Sequence, residues 1–597
     1  MAYTSLEDCL NDLEKNGQLT IIKEEVDPYL EMAAIQRIVY QQQGPAILFE
    51  KVKDSKFRAV ANIFGTLDRS KFIFRNSLKS VQDLIQIKNN PAAAFRKISA
   101  LSKARFALPK KQSLSKLKNF EEIRIQDLPL ITCWEMDGGA FITLPQVFSQ
   151  DPINNDIAHS NIGMYRIQLS GNEYIANKEI GLHYQIHRGI GIHQQNAIEQ
   201  NQPLKVSIFV GGPPAHTVAA VMPLPEGMSE VNFAGLLAGR RFRYAVDNGN
   251  VVSLDADFVI TGEINPNELK PEGPFGDHLG YYSLAHPFPV LKVSNVLAKK
   301  NAIWPFTVVG RPPQEDTSFG ALIHEITGDA IKNELPGVQE VHAVDAAGVH
   351  PLLLAIGKER YTPYLDITEP AEILTQSMRI LGTGQLSLAK YLFITSQAKD
   401  CPSTHDIPAY FRYIFERIDF KRDIHFITNT TIDTLDYSGF ALNKGSKVIF
   451  ATAGKKLREL ATNLPKEITN IYPNAKLVLP GIVAIDMGKY DANIHLDSAI
   501  ENINLDWENL GIAMIVITEN PDFLCENLNN FLWVTFTRTN PAKDILGIHS
   551  FYSDKHWGCE GPIILDARIK PHHAPALEEN PEVYNRALQI CKKYQLI

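Results

Sequence analysis

The segment Glu272-Gly-Pro-Phe-Gly-Asp277 places two carboxylates around a Gly-Pro-Phe-Gly turn. Glycine lets a backbone turn tightly and proline fixes φ, so such a loop can present both acids to one space. Two carboxylates in one cleft push their pKa values apart, which yields an acid and a base. Read alone, an exposed acidic turn is the simpler account of this hexapeptide.

Other segments add partners. In Asn161-Ile-Gly-Met-Tyr-Arg166 the arginine ends an otherwise apolar run and needs a counter-charge, because an unpaired buried charge is costly. Glu272 and Asp277 are its candidates. Asn161 and Arg166 are five residues apart, so a regular strand puts them on opposite faces. One site can use both only if Asn161 precedes the strand proper or lies next to a bulge. In Leu182-His-Tyr-Gln-Ile-His187-Arg188-Gly189, the residues His183, Gln185 and His187 alternate and share one face of a strand. A histidine there is more often a satisfied core or surface residue. Ser229-Glu230 opens a helix, where a glutamate ordinarily serves capping and the dipole. Taken together, Asn161, His187 and Glu230 offer an amide oxygen, an imidazole and a carboxylate. That set suits Mn²⁺ or Mg²⁺ with a phosphate completing the shell, rather than structural zinc. Spacing alone is weak evidence for it.

Several motifs fail. His324-Glu325 continues Ile-Thr-Gly, so no HExxH is present; Gly382-Thr-Gly384 with Lys390 lacks the GK[ST] ending of a P-loop; no GxSxG occurs.

These residues need a scaffold. The 597 residues suggest about three to five domains at roughly 100–200 residues each. With 45% hydrophobic and 21% charged residues, the chain can bury several cores. A net charge of −8 gives no basic excess of the kind nucleic-acid binders carry. One local basic stretch, Lys97 to Lys118, reads as a solvated linker or helix face, with a peripheral membrane-surface contact as the alternative. The six cysteines are scattered without a CxxC pair, as in a reduced cytosolic protein. The N-terminus is acidic and amphipathic, unlike a signal peptide, and no apolar run approaches the ~20 residues of a membrane span. The expected location is the cytoplasm.

Along the chain, Ser5 is expected to cap a helix that runs to Asn16 and stops at Gly17. A strand Leu19–Ile22, a helix Leu30–Gln42 and a strand Ala46–Phe49 follow, giving an N-terminal α/β domain over 1–120. From 121 to 310 short β-rich runs dominate: Phe141–Leu144, Met164–Leu169, Leu182–Ile186, Leu204–Val210, Phe258–Thr261 and Val290–Val296. They are separated by Gly, Pro and Asn, as in a barrel or sandwich. Ala215–Met222 and Ser229–Ala238 read as helices among them. Helix–strand alternation returns over 311–470, with helix Ala321–Asn333, strands Val338–Val344 and Pro351–Ala355, helix Ala371–Leu381 and strand Tyr391–Ile394. Residues 471–597 form a C-terminal extension ending in an amphipathic helix, Glu582–Gln595, compatible with a contact between protomers. Ile424–Asp436 and Asp544–Asp566 share a strand–loop texture too faint to carry an assignment.

The segments LPLITCWEMDGGAFITLP, SNIGMYRIQL, the HRG after GLHYQI, LPEGMSEVNFAGLLAG, PEGPFGDHLGYYS and TTIDTLDYSG occur together and in this order. In this the chain resembles the UbiD family of prenylated-flavin decarboxylases across nearly all of 1–460. The resemblance implies a multidomain fold: an N-terminal α/β domain, a central split β-barrel of flavin-reductase type carrying cofactor and metal, and a C-terminal α/β domain. It implies a catalytic network of Arg166, Glu272 and Asp277, and metal positions at Asn161, His187 and Glu230. It implies flavin contacts at Met164, Tyr165, Arg166, His183, Tyr184, Gln185, Arg188 and Gly189, and a phosphate-binding lysine at Lys390. The implied cofactors are prenylated FMN and Mn²⁺ or Mg²⁺, with K⁺ as a further cation. A flavin prenyltransferase would supply the cofactor, and the chain would form a homo-oligomer, a dimer or hexamer.

The implied reaction is reversible, non-oxidative decarboxylation of an aromatic or α,β-unsaturated carboxylic acid. Carbon left with an electron pair on loss of CO₂ needs an electron sink, and the prenylated flavin supplies one through a covalent adduct. A 3-polyprenyl-4-hydroxybenzoate-type acid of quinone biosynthesis is the leading substrate. Glu272 suits charge coupling to Arg166 and Asp277 suits proton delivery, with the two roles exchangeable. Three features depart from the family. Extra residues follow Arg166, around Gly171–Glu179; His183 stands where relatives often have another residue type; and Ile394-Thr-Ser-Gln-Ala-Lys replaces an aspartate-rich stretch, which weakens Lys390. Two rival readings differ in class: an FMN-dependent oxidoreductase on a similar β domain, and a non-catalytic, metal-stabilised assembly protein.

Overall fold

A computed structural model describes residues 2–89, 98–185, 188–224, 229–327, 335–362, 364–492, 496 and 505–597. Contacts divide the chain into two units, residues 1–330 with 576–597, and residues 331–575.

In the first unit, the helix Leu6–Lys15 is capped as its sequence predicts, the Asp8 N–H donating to Ser5 Oγ. A four-stranded sheet follows in the order Leu19–Val26, Ala46–Val52, Arg58–Ala61, Ile303–Phe306. Its last strand lies more than 240 residues beyond the third. An apolar run such as Ile303–Phe306 carries no mark of which sheet it joins, and sequence order had grouped it with the central β region. The terminal helix Pro581–Lys593 also belongs to this unit rather than to the residues before it. It buries Val583, Ala587 and Cys591 in the same core as Ile35, Ile38 and Val39 of the helix Glu31–Gln41. Lys593 pairs with Glu24 at 2.8 Å, and Arg37 with Glu579. Its apolar face is thus used within the chain, which removes the reason to assign it to a contact between protomers.

The unit also holds a nine-stranded antiparallel sheet. Its main path runs Phe141–Ile142, Ile167–Gln168, Glu179–Leu182, His286–Lys299, Phe258–Glu272, Leu204–Val210, Pro145–Gln150, Ser160–Gly163, with Phe120–Glu122 added against His286–Lys299. If flat, the second and eighth strands would lie about 29 Å apart, six spacings of ~4.8 Å. Yet Gly163 and Ile167 are four residues apart, and four residues span at most ~14 Å. Ile142 and Pro145 cross the same gap in three. The sheet must therefore curl until its two ends come within ~14 Å of each other, and Met164-Tyr165-Arg166 is the strap across the gap. Helices Gly189–Glu199, Pro214–Val221 and Glu230–Ala238 accompany it. The basic stretch is partly in this unit's ordered structure: Lys110–Lys111 pair with Arg243–Tyr244, while Lys110, Lys111, Lys116 and Lys118 stay exposed.

The second unit holds two five-stranded sheets. One runs Glu340–Ala343, Leu352–Gly357, Tyr391–Ser396, Gly445–Thr452, Ile424–Thr430; the other runs Lys476–Leu479, Ile482–Asp486, Met514–Thr518, Ile563–Asp566, Ile545–Gly547. The helix expected at Ala321–Asn333 spans Glu315–Thr327 in the first unit; residues 328–334 lie outside the described residues. No described helix is long and apolar enough to cross a membrane.

Candidate active site

Arg166 stands at the end of the strap that crosses between the ends of the curled sheet. Its side chain is 8% exposed and meets two carboxylates. Nε and Nη2 donate to the two oxygens of Glu272 at 2.8 and 2.7 Å, and Nη1 donates to Asp277 Oδ2. Glu272 is fully buried at the end of the long strand Phe258–Glu272, and Asp277 is 5% exposed in the turn beyond it. The face of Phe275 lies 4.7 Å from the guanidinium. Burial pushes the Glu272 carboxyl up, but the charge of Arg166, with hydrogen bonds from His183 and Arg166, outweighs it and brings the group down to about 2. Burial also opposes ionisation of Asp277, and the His278 hydrogen bonds and the Arg166 charge overcome it, so this acid too lies below the usual carboxylate range. Two ionised acids thus share one guanidinium, with the His278 ring also against Asp277 at 2.8 Å.

His183 follows the strand Glu179–Leu182 and stacks on Phe288 at 4.1 Å. Its Nδ1 lies 3.1 Å from Glu272 Oε2. Burial and the nearby Arg166 charge lower its pKa, so the neutral ring donates Nδ1–H to the carboxylate. The strand ends at Leu182, so the alternation predicted for His183, Gln185 and His187 does not apply: His183, Tyr184 and Gln185 lie in a loop. His187 falls outside the described residues.

The turn itself is held from below. Asp137 accepts from the N–H groups of Gly276, Cys133 and Trp134 at 2.8–3.1 Å; burial pushes its carboxyl up to about 7 against those bonds. Gln168 Oε1 accepts from the Gly273 N–H at 2.8 Å, and Asn172 donates to the Gly273 carbonyl at 2.7 Å. Gly273 has φ +93°, and a Cβ on Gly276 would fall 2.0 Å from the Trp134 ring. The glycines of the hexapeptide are thus steric requirements.

A second cluster lies at the other end of the strap. Asn161 sits in the edge strand Ser160–Gly163, before the strap, which answers how it and Arg166 can serve neighbouring sites without a bulge. Its Nδ2 donates to the Tyr165 hydroxyl at 3.2 Å, and its Oδ1 lies so close to Gly189 that a Cβ there would approach to 2.4 Å. Gly189 opens the helix Gly189–Glu199, with Arg188 at its N-cap. Glu230 opens the helix Glu230–Ala238 and accepts from the Ile162 N–H at 3.1 Å. Burial pushes its carboxyl up to about 7, and only backbone N–H groups pull against that. Met164 and Tyr165 form the strap between the two clusters, and Tyr165 meets the Tyr184 ring edge-on at 6.3 Å.

Three family models match the chain in order: the N-terminal domain of 3-octaprenyl-4-hydroxybenzoate carboxy-lyase over 10–88, its Rift-related domain over 108–312 and its C-terminal domain over 317–452. The chain belongs to the UbiD family. It is, with the family, a carboxy-lyase. A Chlamydia pneumoniae protein named as one of the subunits of 4-hydroxybenzoate decarboxylase is 35% identical, over 97% of this chain and 96% of its own length. In fold, the chain is similar to the closed form of vanillic acid decarboxylase from Sedimentibacter hydroxybenzoicus (TM-score 0.64, 21% identity, 84% of this chain and 99% of that one). It is also similar to an evolved dimeric form of the UbiD-class enzyme HmfF from Pelotomaculum thermopropionicum in complex with prFMN (TM-score 0.55, 19% identity, 76% and 95%).

The structure brings together Arg166, Glu272, Asp277 and His183, and separately Asn161, Glu230, Tyr165 and Gly189. Asn161 and Glu230 fit the divalent ion that the UbiD resemblance implies: a half-buried carboxylate, with no cation among the described residues pulling on it, bonds the N–H of Ile162, the neighbour of Asn161, whose amide oxygen is pressed against a glycine-opened helix. Lys390 does not fit the phosphate role. It lies in the second unit, 1% exposed, paired with Asp436 at 2.8 Å and donating to Ser438 Oγ and the Thr539 carbonyl at 2.7 Å. An ammonium has three donors, and these partners take them all. Sequence reasoning missed His278, Asp137, Gln168 and Asn172. Asp137 stands in the segment LPLITCWEMDGGAFITLP, but nothing local marks it as the anchor of a turn 139 residues away.

Proposed function

We propose that the chain decarboxylates an aromatic carboxylic acid of the hydroxybenzoate class, of which a 3-polyprenyl-4-hydroxybenzoate of quinone biosynthesis is the leading member, using prenylated FMN and Mn²⁺ or Mg²⁺. The observation that carries this is the buried Arg166–Glu272–Asp277 network on a curled β sheet, next to a cation-deficient pair, Asn161 and Glu230. That sheet, read as a split barrel of flavin-reductase type, would carry the cofactor. Asn161 and Glu230, with His187, would hold the metal, and the Gly189 helix start would favour the cofactor phosphate. When bound, the prenylated flavin supplies the electron sink that cleavage next to an sp² carbon requires.

The chain's own groups do the rest. Arg166 balances the acids and faces the arriving carboxylate. A third carboxylate beside two ionised acids and one guanidinium raises the proton affinity of the group least tied down. Glu272 is held by Arg166 through two bonds and by His183 through one, whereas Asp277 has one bond to Arg166 and two to His278, so Asp277 is the acid less firmly tied to the guanidinium. Asp277 therefore takes up the proton and delivers it to carbon as CO₂ leaves, and Glu272 fixes Arg166. The full burial of Glu272 keeps bulk water from competing as donor. The working form is a homo-oligomer, supplied with cofactor by a flavin prenyltransferase.

The test is to co-express the protein with a flavin prenyltransferase, purify it without oxygen and weigh the released cofactor. The expected mass is that of prenylated FMN. Plain FMN would move the reading to an oxidoreductase, and no flavin with manganese supplied would end it.

Glu230 adds a pH prediction for metal-free protein. Its folded pKa of about 7 exceeds the ordinary 4.5, so the unfolded chain gives up this proton first. Stability should then fall as pH rises from about 4.5 and level off above about 7, a loss of about 3 kcal/mol. Urea titrations of chelator-treated protein at pH 5 and 8 measure it. Mn²⁺ should remove the Glu230 part of the loss, and Glu230→Gln should lack that part and show no manganese effect, while the part from Asp137, which titrates over the same range, remains in both. A wild-type profile identical with and without Mn²⁺ would remove Glu230 from the metal set.

A further inference from the structure

The two sheets of the second unit have one topology. In each, the first pair of strands is antiparallel, the next two pairs are parallel and the last is antiparallel. The registers agree as well. Leu352 pairs with Tyr391 and Tyr391 with Val448; Ile482 pairs with Met514 and Met514 with Ile563. On that correspondence Phe450 matches Leu565, and their antiparallel partners are Ile424 and Ile545.

The sequence repeats in step. Tyr410–Ile427 and Phe531–Ile548 align without a gap at a spacing of 121, since 545 − 424 = 121, with Phe415/Phe536, Arg417/Arg538, Asp423/Asp544, Ile424/Ile545 and Ile427/Ile548 identical. The aligned positions make the same hydrogen bonds. Asp423 accepts from the Asp419 N–H at 2.9 Å and its own N–H returns to the Asp419 carbonyl at 2.9 Å; Asp544 accepts from the Asn540 N–H at 2.6 Å and its own N–H returns to the Asn540 carbonyl at 2.9 Å. Identical topology, register and capping bonds indicate one module present twice. The family model of the C-terminal domain ends at residue 452, after the first copy.

Where the copies pack, one pair of corresponding elements meets. Helix Ile407–Arg417 of the first meets helix Leu528–Thr537 of the second, with Phe411 stacked on Phe536 at 6.0 Å. Tyr391 bonds Thr539 at 2.6 Å, and the Cys559 N–H donates to the Phe420 carbonyl at 3.1 Å. Like element against like element is the pattern of a two-fold dimer interface.

We propose that residues 331–575 are a dimer fused within one chain: the second copy occupies the face that a chain with one copy would offer to another molecule of itself. The partner for this surface is therefore supplied in cis, and self-association of the protein uses other faces.

The native chain carries its own probe. Lys421 Nζ of the first copy lies 3.7 Å from Glu560 Oε1 of the second, and both are more than half exposed. A zero-length carbodiimide cross-linker should join them in the intact protein, and the Lys421–Glu560 peptide should be found in the single-chain band of a denaturing gel. As a second measurement, Phe411→Cys with Phe536→Cys should form a disulfide that also leaves the protein in the single-chain band. Recovery of either link only in the two-chain band would mean that the face pairs two molecules. Failure of the Lys421–Glu560 link to form in folded protein would overturn the packing itself.

Discussion

Arg166→Ala should reduce decarboxylation to background and cost the fold about 3–5 kcal/mol, because it strands two buried carboxylates at once. Glu272 is 0% exposed and Asp277 5%, and Arg166 is the cation they share. The signs of the pH effect separate this account from simple loss of a contact. In the wild type, Glu272 has a folded pKa near 2, below its ordinary 4.5, so its contribution is present above about 4.5 and is lost as pH falls from there through 2. Without Arg166, burial is opposed only by His183 and raises the pKa, so the variant loses stability as pH rises above about 4.5. The stability gap between the two proteins should widen from pH 4.5 to 7, which urea denaturation at both values measures. Glu272→Gln is the companion variant. It keeps the shape and the Arg166–Asp277 pair, so turnover should fall about 10²–10⁴-fold with a much smaller loss of stability. Substantial turnover in either variant would sink the assignment.

The sequence made the local elements readable where capping and periodicity act within a few residues. Ser5 and Ser229 cap the helices expected of them, and the strand Leu204–Val210 has the predicted bounds. The long strands Phe258–Glu272 and His286–Lys299 were legible only as fragments. Their pairing slips between Thr261 and Gly262 and between Ile264 and Leu269, and such irregularities break the two-residue alternation that identifies a strand. Arg166 could be recognised as needing an acid, since its cost is local, and Glu272 and Asp277 as acids needing a cleft. Their meeting could not be, because it depends on a curled sheet whose ends are bridged in four residues. The turn's supports, Asp137, Gln168 and Asn172, are polar residues whose partners lie 101 to 139 residues away. The duplication left only a faint echo in sequence, since strand order and register, rather than residue identity, carry most of it.

Lys390 is where motif and environment part, and Lys390→Met decides between them. A phosphate-binding lysine keeps donors free for its ligand, so its loss lowers cofactor affinity and leaves the fold. Lys390 instead pairs inside the second unit with Asp436, whose side chain is 2% exposed, and its other donors bond Ser438 and the Thr539 carbonyl. Burial lowers the lysine's pKa while Asp436 acts to hold its charge. Removing the ammonium leaves Asp436 buried and unpaired, at a cost of about 3–5 kcal/mol, or roughly 10 °C in the melting temperature of a unit this size. The double variant Lys390→Met with Asp436→Asn should recover part of that loss, because it removes the stranded charge along with its partner. Flavin bound per folded chain should stay at the wild-type level in both. A Lys390→Met protein that melts like the wild type but binds flavin weakly would restore the phosphate role and require the ion pair to open when cofactor binds. Loss of stability without loss of flavin places the lysine in the joint between the two copies of the module, since Asp436 and Ser438 belong to the first and Thr539 to the second.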